Sequence, residues 1–304
     1  MKRIFCLILC LSINFSFYSN GEIFNDEECS RVDLGNIFFD SDFTNQETLI
    51  QWRSPREYLD QDNLVSSGWS DLHISGSGQF SERLFSEILD AVAVEPENII
   101  IVDLRLESHG FVNGYPVSWW NGSTNDLNDS LTCEEVIEDE IRRLDRLKEQ
   151  NILQVNDDMY PLDLKVEKVQ SEKEFVESYG ARYVRLPVLD GHRPANIVIQ
   201  KYLDFIRSLS KDTRVHYHCR SGFGRTTTFL VMHDMIKNAR KISFQDIFSR
   251  HYFIGGNNFY ASRTNGGRER LKFLMHFYEY CQECPELDVR WVDWLRMRHI
   301  EHEI

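Results

Sequence analysis

Nine consecutive residues, His218-Cys219-Arg220-Ser221-Gly222-Phe223-Gly224-Arg225-Thr226, hold the densest chemistry in this 304-residue chain. They separate a short apolar run, Val215 to His218, from a helical pattern over 224–239. In a strand-to-helix turn, successive backbone N–H groups converge on one point, and the helix N-terminus adds partial positive charge. Gly222 and Gly224 let the main chain approach a ligand closely. Arg225, six residues after Cys219, is placed to clamp two phosphate oxygens. Such surroundings favour a thiolate. Cys219 is therefore expected to attack phosphorus and form a cysteinyl-phosphate. Arg225 and the amides of Arg220 to Gly224 would hold the phosphoryl oxygens. A structural cysteine beside a glycine turn would explain Cys219 alone. It would not explain the histidine, both glycines and the threonine in a strand–helix setting. His218 is expected to order the loop, although a packed histidine fits nearly as well. Thr226 is expected to hydrogen-bond the sulfur.

The leaving oxygen needs a proton. Asp190 is the candidate, in Arg185-Leu186-Pro187-Val188-Leu189-Asp190-Gly191-His192-Arg193-Pro194. It follows a strand-like run on a loop that Gly191 makes able to close. A plain turn aspartate is the alternative. A substrate with several phosphates also needs cations beyond Arg225. Arg53, Arg193 and Arg220 are the candidates, followed by Arg263 and Arg268; each competes with an ordinary surface arginine. Asp103, Glu107 and His109 form a charged cluster at the end of an apolar run. Structural ion pairs and a site role explain it equally well. No metal or other cofactor is required, and no histidine–carboxylate cluster suggests one.

The elements that must position these residues alternate. Ser75-Gly76-Ser77-Gly78 reads as a turn. Phe80, Leu84, Phe85, Ile88 and Leu89 then recur at helical spacing. Residues 98–103 and 183–188 read as buried strands, and 133–150 and 195–209 as helices. The Gly-, Asn-, Ser- and Trp-rich stretch 110–132 reads as a loop, and 158–169 offers further strands. Two or three helices close the chain. Strands alternating with helices predict an α/β fold around a mainly parallel sheet.

At this level the chain resembles a known family. The segment His218 to Thr226 is similar to the signature loop of cysteine-dependent protein tyrosine phosphatases. The wider sequence, from about Trp52 to Trp294, resembles the bacterial tyrosine-phosphatase-like inositol polyphosphatases, or phytases. The residues behind the resemblance are Trp52-Arg53, Ile74 to Ser81, Val102 to Gly110, Asn113 to Trp119, Ile254-Gly255-Gly256 and Phe277 to Tyr280. The segment 102–119 selects the phytase-like branch. The resemblance implies a phosphatase fold with a small partial β-barrel beside it, and inositol phosphates as substrate. It makes Asp103 a residue orienting loops around the pocket, and it supports Asp190 as the acid. In that family the acid begins Asp-His-x-x-Pro. Here Gly191 takes the histidine's place and His192 follows, which leaves the histidine's substrate role in doubt. Related phytases often carry glutamate where this chain has Arg220. The alternatives are a phosphotyrosine or phosphoinositide phosphatase and, from another class, a phosphate-binding pseudoenzyme.

Composition frames these readings. The formal charge is −14, with 42% hydrophobic and 27% charged residues. That is a globular balance with a surface that disfavours nucleic acid and anionic lipid. Lys2-Arg3, the apolar run Ile4 to Ile13 and Ser19-Asn20-Gly21 read as a signal peptide over 1–21, cut before Glu22. The protein is thus expected to be exported, periplasmic or secreted. No later segment is apolar enough to span a membrane. Residues 22–50 read as an N-terminal arm and 51–304 as the phosphatase domain. Export permits disulfides among Cys29, Cys133, Cys281 and Cys284, with three possible pairings left open. Oligomeric state is not legible.

Overall fold

A computed structural model describes residues 36–40, 48–58, 66–120, 128–156 and 161–300. The expected signal peptide and Cys29 lie outside them. Four parallel strands form the central sheet in the order β2 (Ile74–Ser77), β10 (Arg214–His218), β3 (Ile99–Arg105) and β9 (Arg182–Val188). Strand β3 is buried at every position, because the sheet is covered on both faces. Its alternate residues divide between two cores. Ile99 and Ile101 pack with Phe80, Leu84, Phe85 and Phe175, the side of helices α1 (Glu82–Val92) and α3 (Glu172–Ser178). Ile100, Val102 and Leu104 face a larger core. That core is built by α4 (Asn196–Ser208), α5 (Gly224–Asn238), α6 (Phe244–Phe253), α7 (Asn265–Glu283) and α8 (Trp291–Arg298). Helix α5 is buried nearly all round, as expected of a helix enclosed by a sheet and other helices.

A second sheet of six strands runs in the order β7 (Pro161–Lys165), β6 (Ile152–Asn156), β1 (Asn36–Phe39), β5 (Tyr115–Trp120), β4 (His109–Val112) and β8 (Val169–Gln170). Most of its pairings are antiparallel. It packs Ile37, Val117, Trp119 and Val155 against Leu144 and Leu147 of α2 (Cys133–Lys148). A small partial β-barrel was expected beside the central sheet. Pairing among the described residues runs from β7 to β8 without joining these two.

Three local readings change. The stretch 75–78 is largely strand, not turn: β2 is an edge strand of small residues because α5 lies directly on it. A Cβ on Gly76 would stand 2.7 Å from Thr226 Cγ2. The stretch 110–132 is not a plain loop, because β4 and β5 form a hairpin with Val112 opposite Tyr115. Its turn is Asn113-Gly114, with φ of 52° and 80°, the left-handed pair a two-residue hairpin demands. Finally, the expected arm contains β1, which pairs with β5 and β6. The compact unit holding the described residues begins at Leu34.

Candidate active site

All the chemistry gathers at the C-terminal edge of the parallel sheet, where open α/β folds bind ligands. Strand β10 ends at His218, in register with Ser77 of β2 and Asp103 of β3. Cys219 to Phe223 then turn into α5, whose first N–H groups have no intrahelical acceptor. Gly222 takes φ 76° and backs onto Gly78, where a Cβ would lie 2.5 Å from the Gly78 nitrogen. The Gln79 amide donates to the Arg220 carbonyl at 2.9 Å. Arg53 is fully buried and donates to the Gly222 carbonyl (2.7 Å) and to Thr227 Oγ1 (3.0 Å). It therefore props the loop by a carbonyl and does not reach the rim as a substrate cation. Cys219 is 2% exposed. Thr226 Oγ1 lies 3.2 Å from Sγ and 3.2 Å from the Ser77 carbonyl, so its single proton serves either acceptor.

Arg225 is gripped by Glu107, with Nη1 to Oε2 at 2.6 Å and Nη2 to Oε1 at 2.9 Å. Nη1 also donates to the Val188 carbonyl at 3.0 Å. Among the described residues its buried Nε has no acceptor, which leaves it for a phosphoryl oxygen. Burial opposes ionisation of Glu107, but Arg225 and Arg105 outweigh it and hold the carboxyl far below the usual range. Asp190 Oδ1 stands 3.3 Å from Arg225 Nη2, with the side chain 52% exposed. Its loop turns at Gly191, where φ is 79°. A thiol, a held guanidinium and a solvent-facing carboxyl thus meet at one place.

Residues 102–237 match the family model for PTP-like phytases, described as "Inositol hexakisphosphate". The chain is similar to a PTP-like myo-inositol phosphatase from Mitsuokella multacida, solved with myo-inositol-(1,3,4,5)-tetrakisphosphate. The match has 34% identity and TM-score 0.79 over 87% of this chain and 48% of that one. A PTP-like phytase from Bdellovibrio bacteriovorus matches at 29% identity and TM-score 0.67, over 85% of this chain and 94% of that one. The chain belongs to the PTP-like phytase family. Effector protein hopD2 of Pseudomonas syringae pv. tomato is 30% identical over 253 residues, 76% of this chain and 53% of that protein. The chain therefore spans about half the length of hopD2 and of the Mitsuokella protein.

The chain departs from its sequence reading at the rim. Arg193 turns away from the cup: its Nη1 donates to the Pro194 carbonyl (2.7 Å) and Asn196 Oδ1 (3.1 Å), and it lies over Phe273. Arg220 has its Nε 2.9 Å from Asp40 Oδ1, with 28% of its side chain exposed. His192 is exposed, with Nδ1 3.0 Å from the Asp190 carbonyl. Asp103 is fully buried. It takes hydrogen bonds from the Arg105 amide (2.8 Å) and Tyr183 (2.7 Å) and pairs with Arg185. Ser221 and Phe223 are exposed on the loop. Gly224 packs on Arg270, where a Cβ would meet Nη1 at 2.9 Å. Cys133, Cys281 and Cys284 are free thiols.

Four residues that build the site escaped the sequence reading or were left ambiguous by it. Glu107 was one member of a charged cluster. Asp40, on the expected arm, is buried between Arg105 and Arg220. Glu172 contacts His218 and His109. Arg270 comes from α7, donates Nε to the His192 carbonyl at 3.0 Å, and so links the acid loop to the first residue of α5. Its charged form is disfavoured, first by burial and then by Arg225, which makes an anion between the two guanidiniums welcome. One signal was available in the sequence: Arg270 stands where the helical pattern of Phe273, Leu274 and Phe277 calls for an apolar residue.

Proposed function

We propose that this protein is an exported cysteine-dependent phosphatase that hydrolyses inositol polyphosphates through a cysteinyl-phosphate. The observation that carries the reading is the arrangement around Arg225. Glu107 fixes the guanidinium from behind, Asp190 stands 3.3 Å from it on the solvent side, and Cys219 opens the loop that leads into it. Family membership and the inositol phosphate bound by the Mitsuokella relative support the substrate class.

In the first step the Cys219 thiolate attacks phosphorus. The S–P bond forms as the P–O bond to the ring oxygen breaks, and Asp190 gives that oxygen its proton. Arg225 Nε and the loop amides hold the three non-bridging oxygens throughout. In the second step water attacks phosphorus and passes a proton to Asp190. The S–P bond breaks, its electron pair stays on sulfur, and Thr226 donates a hydrogen bond to the leaving thiolate. Export rests on the basic, apolar and small-residue pattern of residues 1–21.

The test is phosphate release from inositol hexakisphosphate and from a phosphotyrosine peptide, with wild type and Cys219→Ser. Release from the inositol substrate, abolished by Cys219→Ser, supports the reading. Activity on the peptide alone overturns the substrate class, and activity surviving Cys219→Ser overturns the mechanism. A phosphotyrosine substrate has one observation in its favour: Phe223, in the signature loop, is 42% exposed and offers a face for an aryl ring.

A further inference from the structure

His218 ends β10, one residue before the proposed nucleophile, and is fully buried. Among the described residues its one polar contact is the carboxylate of Glu172, with Oε1 2.6 Å from Nε2. Glu172 is the first residue of α3, where a carboxylate normally points to water near the helix N-terminus. Here it is turned inward and 1% exposed. Its other oxygen takes a hydrogen bond from Gln79 Nε2 at 2.8 Å and lies 3.2 Å from His109 Nε2. Gln79 follows β2 and His109 opens β4. One buried carboxylate thus joins both sheets to the residue preceding Cys219. It touches neither the cup nor any group the two chemical steps use.

We propose that Glu172 is a positioning residue for catalysis, acting through His218 to set the turn at Cys219 and the field at its sulfur. The inference rests on Cys219 being the nucleophile. The surroundings of His218 leave this work to Glu172. Phe80 lies with its ring 5.0 Å away, and the His216 ring is 6.5 Å away. His216 spans Ser75 Oγ (2.9 Å) and Ser77 Oγ (3.0 Å). Its protonation is strongly disfavoured, first by burial and then by His218. Asp103 is the next acid, but its oxygens are already engaged by Tyr183, Arg185 and His109. The groups with charge or hydrogen facing Cys219 itself are Thr226, Arg225 and Arg270.

The test reads Cys219 directly, as its rate of alkylation by iodoacetamide at neutral pH, followed by peptide mass spectrometry. The thiolate displaces iodide, forming S–C as C–I breaks, so the rate reports thiolate availability without any substrate. Cys133, half-exposed on α2, is the internal reference. Glu172→Gln and His218→Gln are each expected to slow Cys219 about tenfold, a 1.4 kcal/mol effect, and to leave Cys133 unchanged. Because Glu172 acts through His218, the double variant is expected to be no slower than His218→Gln. Wild-type alkylation in Glu172→Gln, or losses that multiply in the double variant, would overturn the proposal. His218→Gln keeps Glu172 in place and decides the matter alone if the other variants do not fold: a wild-type rate there also overturns it. A response to Glu172 in a protein that releases no phosphate from inositol hexakisphosphate would sink the substrate reading and leave this inference standing.

Discussion

Replacing Glu107 by glutamine separates the hold on Arg225 from the loop that surrounds it. The Glu107 carboxylate accepts from three guanidinium nitrogens: Arg225 Nη1 at 2.6 Å, Arg225 Nη2 at 2.9 Å and Arg105 Nε at 2.8 Å. All three side chains are buried. Glutamine keeps the volume but removes the charge and turns an NH2 donor toward a donor. Breaking a buried pair on one side costs about 3–5 kcal/mol, because the remaining charge is left uncompensated. That is a large share of the roughly 5–15 kcal/mol that holds a domain together, so the variant should fold with a clearly lowered urea midpoint. Arg225 would keep the Val188 carbonyl and the exposed Asp190, neither of which fixes its plane. A misplacement of about 1 Å in such a clamp costs on the order of 10²-fold in rate. Glu107→Gln is therefore expected to lose about 3 kcal/mol or more in urea denaturation and about 10²-fold in kcat/KM. A variant within about 0.5 kcal/mol of wild type that keeps its kcat/KM would refute the reasoning, because Arg225 would then not depend on Glu107.

Other consequences follow from the same contacts. Asp190→Asn removes the proton donor beside Arg225. It should cut kcat on a poor leaving group by about 10²-fold or more, and equal activity at all pH values would count against the acid role. Arg270→Ala should lower kcat/KM for a polyphosphate about tenfold, the scale of one charge-assisted hydrogen bond; an unchanged value would remove Arg270 from the site. Arg220→Glu should weaken polyphosphate binding more than monophosphate turnover. Because Arg220 pairs with buried Asp40, Arg220→Gln is the cleaner comparison, and equal loss on both substrates rejects the assignment.

The pH dependence of stability has a defined sign. Glu172 is held at about 2, below the ordinary 4.5: burial opposes ionisation, but the close imidazoles of His218 and His109 outweigh it. Its contribution is present above about 4.5 and fades as pH falls toward 2. His109 moves the other way, to about 10 from 6.5, because Asp103 outweighs burial and Arg105. Its contribution is full below about 6.5 and is lost as pH rises through 10. Urea midpoints should therefore fall between pH 7 and 10, and His109→Gln should flatten that slope. The same slope in the variant would contradict the assignment.

The signature loop was legible because a phosphate cradle needs small residues, a thiol and an arginine close together in sequence. The parallel sheet was legible for a similar reason: runs such as Ile99 to Val102 are buried on both faces and read as apolar throughout. What the sequence hid depends on distant pairing. Ser75-Gly76-Ser77 has turn composition; parallel pairing with β10 makes it a strand, and the approach of Thr226 and Leu230 keeps it small. Strand β1 lies in an unpatterned acidic stretch and gains its place from β5 and β6. Asn113-Gly114 was a hairpin signal that the surrounding Gly- and Trp-rich composition masked. At the site, charge alone did not separate rim arginines from structural ones. Arg53 and Arg193 are occupied by carbonyls, whereas Arg270, placed among apolar residues of α7, reaches the loop.

The central claim is that Cys219 carries the phosphoryl group between substrate and water. The direct measurement is rapid quenching of the Thr226→Ala variant, which removes the hydrogen bond to the sulfur that leaves in the second step, during reaction with inositol hexakisphosphate, followed by mass spectrometry of its cysteine-containing peptides. The account predicts one phosphoryl group on the peptide bearing Cys219, absent from Cys219→Ser and lost as free phosphate appears. Steady release of phosphate with no phosphoryl group on that peptide, or with the group on another residue, would contradict it.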